Sequence, residues 1–137
     1  MSNSKLEERF LTLLTELAPT LTVVREFMAI EGRRFRFDFY IPSAELLIEI
    51  QGGTFTGGRH TRGVGMAADA EKSRLAQMQG YQVFAYTGQQ ITKAAIVELL
   101  KYVVEREKLV NKQRKPNTKK KPEYNNGRKK ANVRKPN

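Results

Sequence analysis

With 137 residues the chain is long enough for one domain with a modest core, and its lack of cysteine excludes a disulfide framework and any thiolate metal centre. No apolar run can span a bilayer, and the start MSNSKLEERFLTLLTEL lacks the basic-then-apolar order of a secretory leader, so a cytoplasmic protein is expected. The formal net charge of +11 is concentrated in residues 111–137, which hold eleven Lys and Arg against Glu123 alone, leaving the first 110 residues nearly neutral.

The first element is a helix over Lys5–Leu17, with Leu6, Phe10, Leu13, Leu14 and Leu17 as its apolar stripe. Ser4 followed by Glu7 fits a capping box, and Ala18-Pro19-Thr20 stops the helix. Glu7 lies at the stripe's edge. It either caps its own helix or looks inward.

Three strands are expected next: Leu21–Ile30, Arg33–Ile41 and Glu45–Gln51, joined by short turns into an antiparallel meander. The stretch Arg34–Gly53, RFRFDFYIPSAELLIEIQGG, organises the chain. Asp38 sits between two phenylalanines and Glu49 between two isoleucines. A carboxylate among large apolar residues is costly to bury unless a cation or hydrogen-bond donors receive it. Alternation puts Glu49 and Gln51 on one face and Ile48 and Ile50 on the other. If the two runs pair, Asp38 and Glu49 converge at one end of a sheet as hard oxygen ligands of the kind magnesium takes. The plain alternative is a pair of charges on a solvent face, which alternation alone permits.

Gly52–Gly65, GGTFTGGRHTRGVG, reads as a long glycine-rich loop whose Arg59, His60 and Arg62 can approach phosphate. His60 is equally readable as a solvated surface histidine. A second helix follows over Met66–Gln79, ended by Gly80, with Leu75, Met78 and Ala68 inward and Asp69, Lys72 and Arg74 on its polar side or border. Tyr81–Tyr86 is a fourth strand, reached by a crossover. Thr92 caps a third helix to about Leu109, with Ile96, Leu99, Leu100, Val103 and Val104 as its buried face. That face also offers a surface for a homodimer. The expected fold is α/β, in the order α-β-β-β-α-β-α: a mixed sheet of about four strands flanked by helices. The expected domain is 1–110, followed by a disordered basic low-complexity tail over 111–137. Lys119, Lys120, Lys121, Arg128, Lys129 and Lys130 are its candidate contacts to a phosphate polymer. A localisation signal has similar composition, and the missing amphipathic stripe argues against a membrane partner.

The motifs RFDFYIP, LLIEIQGG, GRHTRGVG and the run from Asp69 to Thr87, in which Glu71-Lys72 precedes GYQVFAYT, resemble the PD-(D/E)XK nuclease superfamily. The nearest branch is that of very-short-patch-repair endonucleases and phage-borne, Holliday junction resolvase-like nucleases. The resemblance spans about Leu6 to Leu100. It implies a restriction-endonuclease-like fold and a Mg²⁺- or Mn²⁺-dependent DNA endonuclease acting in recombination or repair, associated with the nucleoid through DNA. Asp38 and Glu49 resemble the metal-binding pair, with the Ile50 backbone carbonyl as a further ligand and Glu7 as the helical glutamate that can assist the metal. Gln51 stands where the superfamily usually has lysine, and Lys72 resembles a migrated catalytic lysine. His60 and Arg62 resemble residues of the active-site loop, with Arg59 and Arg74 as further DNA contacts. Very-short-patch-repair enzymes carry a zinc site with cysteines, and this chain has none. The rival readings are a non-catalytic nucleic-acid-binding protein on the same fold, which Gln51 favours, and an RNA-associated basic protein, which leaves the core carboxylates unexplained.

Overall fold

The computed structural model describes residues 3–52 and 59–114, with side chains over 4–52 and 67–114. Four strands, β1 (Val24–Phe27), β2 (Phe37–Ile41), β3 (Leu46–Gln51) and β4 (Gln82–Thr87), form one mixed sheet in the order β1-β2-β3-β4. The first three run antiparallel to one another, and β4 runs parallel to β3. A parallel neighbour needs a crossover, and α2 (Arg59–Met78) supplies it. The other helices are α1 (Asn3–Leu17) and α3 (Lys93–Gln113).

The strand period divides the core in two. Phe39 and Ile41 of β2 and Leu46, Ile48 and Ile50 of β3 meet Leu6, Phe10 and Leu14 of α1 and Ile96, Leu99 and Val103 of α3. Tyr40 and Leu47 point the other way, toward Ala76 and Leu75 of α2. The central strand β3 is covered on both faces, which is why its sequence is an almost unbroken apolar run. Phe10 stacks on Phe39 with centroids 5.3 Å apart, and Phe27 on Tyr40 at 4.1 Å.

Local chemistry sets the ends of the elements. Thr92 caps α3 by accepting the Ala95 N–H at 3.1 Å. The end of α2 is a Schellman turn: Gly80 has φ 97°, its N–H reaches Gln77 O, and the Tyr81 N–H reaches Ala76 O. Pro42–Ala44 forms a 3-10 turn closed by Glu45 at φ 50°.

Several boundaries differ from expectation. Helix α1 begins at Asn3, so Ser4 lies inside it and does not form the capping box. β1 has only four residues and β2 begins at Phe37 rather than Arg33. Helix α2 begins at Arg59, so the second half of the expected glycine-rich loop is helical despite Gly63 and Gly65. Met78 is 73% exposed and Ala68 is exposed, and among the described side chains of α2 Ala76 is the one fully buried. Val104 is half exposed, whereas α3 continues to Gln113 and buries Val110, carrying the globule past residue 110. The expectations for 53–58 and for the tail residues Lys119, Lys120, Lys121, Arg128, Lys129 and Lys130 lie outside the described residues.

Candidate active site

The sheet is interrupted along one line. β1 and β2 pair at Arg25–Phe39 and Phe27–Phe37, skipping Glu26 opposite Asp38. β2 and β3 pair from Phe39–Ile48 onward, stopping short of Asp38 and Glu49. Glu26 marks the break with φ 49°, a left-handed conformation that costs a non-glycine residue free energy. Phe37 consequently packs on the α2 side with Tyr40, although two residues of regular strand would have put it with Phe39. Released from both ladders, Asp38 uses its carboxylate where a carbonyl would have served: Oδ2 accepts the Ile50 N–H at 2.6 Å. Such a charge-assisted bond fixes the side chain in the gap between β2 and β3.

Glu7 of α1 meets Asp38 from the α1 side. Burial pushes its carboxyl above the usual range, and the charge and hydrogen bond of Asp38 add to this, while Arg25 opposes. Arg25 lies 3.8 Å from Glu7 and 3.2 Å from Glu8. Glu7 therefore looks inward rather than only capping its helix.

Glu49 projects from the opposite face of β3. Its Oε2 atom is buried, with an ammonium as its neighbour. Lys72 Nζ of α2 sits 2.5 Å from it as an ion pair. Lys72 also stands 4.6 Å above the Phe37 ring, a cation–π contact that the strand break makes available. Burial raises the Glu49 carboxyl to about 7; Lys72 pulls it down, and Asp38 and Asp69 push it up. Desolvation outweighs the ion pair. Glu49 and Lys72 share a cleft of about 70 Å³ with Phe37, Gln51, Asp69 and Ser73.

Of the residues singled out from the sequence, Glu7, Asp38, Glu49, Gln51 and Lys72 thus gather around the gap. Ile50 contributes its N–H there. Arg74 is exposed, on the far side of α2 from Lys72, and stands apart from the cleft. Arg59, His60 and Arg62 lie in the first turn of α2, and their side chains lie outside the described residues. Sequence reasoning missed Asp69 and Ser73 as cleft residues. Their signal is periodic: 69, 72, 73 and 76 form one stripe on a helix, with Ala76 as its buried member. It also gave no role to Arg25, or to Arg33, which stacks on Phe35 and pairs with Glu71 at 3.2 Å.

Among the described residues, no group of three or more His, Cys, Asp or Glu is arranged to hold a metal ion. A two-carboxylate set is nevertheless what magnesium commonly takes, with water and substrate phosphate completing its shell. Asp38 and Glu49 offer hard oxygens, and the Glu49 Oε2 atom faces the Lys72 ammonium, which an ion bound to that oxygen would displace. No family model, curated protein or solved structure gives a significant match to the chain.

Proposed function

We propose that this chain is a divalent-metal-dependent DNA endonuclease that hydrolyses phosphodiester bonds in DNA recombination or repair. The observation that carries the reading is the break in the sheet. It frees Asp38, whose charge is felt by the buried Glu49 carboxylate, and it sets Lys72 against both that carboxylate and the Phe37 ring. Two carboxylates in that relation add nothing to a protein that only binds phosphate, because they repel it. The motif resemblance to the PD-(D/E)XK superfamily supports the same reading, with Mg²⁺ or Mn²⁺ as the cofactor.

Asp38 and Glu49 would hold the metal. Bound there, it supplies Lewis acidity toward a phosphoryl oxygen and lowers the pKa of a water. The Ile50 N–H and Glu7 keep Asp38 oriented. Gln51, on the same face as Glu49, can orient a water but brings no charge. Lys72 supplies the cation that position 51 lacks, offsetting charge that grows on the phosphoryl oxygens. The basic tail concentrates DNA near the cleft through a salt-sensitive, largely sequence-independent attraction.

One observation favours the second reading, a non-catalytic nucleic-acid-binding protein. Lys72 and Glu49 already neutralise one another, and Gln51 leaves no further charge in the strand. The test is cleavage of labelled branched, nicked and linear DNA with Mg²⁺ or Mn²⁺, run beside Asp38→Ala and Lys72→Ala. The expected result is metal-dependent cutting, abolished by Asp38→Ala and slowed about 10²-fold or more by Lys72→Ala. Tight, salt-sensitive binding without cutting under either metal would establish the second reading. Normal cutting by Lys72→Ala would remove that residue from the mechanism.

A further inference from the structure

One turn of the globule gathers positive charge, and it does so beside the cleft. Arg33, Arg34 and Arg36 place three cations within four residues of the β1–β2 connection, a density matched nowhere else among the described residues. All three are exposed. Along α3, by contrast, the exposed Lys101 and Lys108 alternate with Glu98 and Glu105.

The turn is built to hold its shape. Ile30 O accepts the Arg33 N–H at 3.2 Å, and Gly32 has φ 83°, the positive value that the third position of a type II turn requires. Ile30 ahead of the turn and Phe37 behind it are buried in the core on the α2 side, and Phe35 packs against that core. The Arg33 guanidinium lies 4.5 Å above the Phe35 ring. An arginine already stacked in place gives up less freedom when it binds a ligand.

Acids stand beside two of the three. Arg33 donates to Glu71 through both terminal nitrogens at 3.2 Å, and Arg36 lies 3.5 Å from Glu26. Pairs as exposed as these contribute little, so a phosphate can take either arginine over. Among the described residues Arg34 is in no ion pair.

Glu71 is the chain neighbour of Lys72, and Arg36 that of Phe37. Lys72 and Phe37 both line the cleft, so the turn borders it at two points. A nucleic-acid strand with one phosphate in the cleft has its next phosphates at that rim. Guanidinium forks meet phosphate oxygens two at a time. A lone anion would need one fork, whereas three in four residues suit a chain of phosphates. A membrane surface is a poorer match, because the aromatic ring of the turn packs inward rather than projecting.

We infer that the turn over residues 32–36 binds the phosphate backbone of a nucleic acid and sets its register on the cleft. The inference rests on the reading of the chain as a protein that acts on DNA. The tail attracts the polymer from a distance, and the turn fixes where it lies.

Fluorescence anisotropy of labelled duplex and branched DNA with the full chain, over a range of salt and without divalent metal, tests it. Arg34→Ala and Arg36→Ala should each weaken binding about threefold to tenfold and lower the slope of log affinity against log salt by about 0.9. Glu71→Gln releases Arg33 from its acid and should tighten binding about twofold or more. Lys101→Ala and Glu105→Gln make the same changes of charge on α3, which covers the other face of the sheet. They should move neither quantity, since exposed charges more than about 10 Å apart are largely screened. Melting temperatures should stay those of the wild type. Equal effects of Arg34→Ala and Lys101→Ala would reduce the turn to general charge and overturn the inference. Anionic lipid vesicles bound more tightly than DNA, with the same dependence on Arg34, would assign the turn to a membrane instead. A wild type that binds no DNA would overturn this inference and the proposed function together. DNA cutting with a salt slope unmoved by Arg34→Ala and Arg36→Ala would overturn this inference alone.

Discussion

Glu49 is pulled in opposite directions by its surroundings. Burial favours its neutral form and the Lys72 ammonium its charged form, and burial prevails, raising the carboxyl from 4.5 to about 7. The native state therefore holds a proton that the unfolded chain has released between those values. Stability from this group is highest below about pH 4.5 and declines as pH rises, with the full penalty present above about pH 7. The shift corresponds to about 3 kcal/mol. Urea titrations at pH 5 and pH 8 should show the wild type losing about 2–3 kcal/mol more than Glu49→Gln over that interval, and equal losses would dismiss the assignment. In the sequence, Asp38 and Glu49 were legible because each interrupts an apolar run. The break that releases Asp38 was not, because no residue type announces a left-handed Glu26. Asp69 was hidden for a different reason: it reads as a solvent-facing helix residue until α2 is phased by the buried Ala76.

At the scale of elements, the order α-β-β-β-α-β-α was readable from hydrophobic period alone, and so were the Thr92 cap and the Gly80 stop. Boundaries were not. β1 looked long because Leu21, Val23, Met28 and Ile30 are apolar, yet those residues pack as irregular chain on either side of a four-residue strand. Helix α2 looked short because each glycine costs a helix about 1 kcal/mol, and two of them precede Met66. What docks α3 was also not readable. Arg106, far from anything in sequence, is 10% exposed and reaches three elements at once. Its Nε donates to Ala44 O at 2.9 Å, one terminal nitrogen donates to Gly80 O at 3.4 Å, and Glu45 lies 3.9 Å away. It thereby ties the turn after β2 to the end of α2. Losing it leaves two carbonyls and a carboxylate without that donor, so Arg106→Ala should cost about 2–4 kcal/mol in urea unfolding. A cost below about 0.5 kcal/mol would mark the contact as incidental.

For the whole molecule, charge and fold are separated along the chain. The first 110 residues are nearly neutral, and the carboxylates gathered near the sheet break would on their own repel a polyanion. Residues 115–137 hold nine Lys and Arg against Glu123, so on the proposed function the attraction would come from there. A chain ended after Arg114 should therefore melt as the full chain does while losing most of its DNA affinity, and its plot of log affinity against log salt should flatten by several units. An unchanged slope would shift the binding surface to the globule. This division was plain in the composition, whereas the contrast between the two sheet edges needed the strand order. That contrast bears on how assembly stops. A sheet with two open edges adds copies without limit, as fibrils do. Here β1 is short, charged and kinked, so that edge is closed to a further strand, and edge-to-edge growth has one open side at most among the described residues.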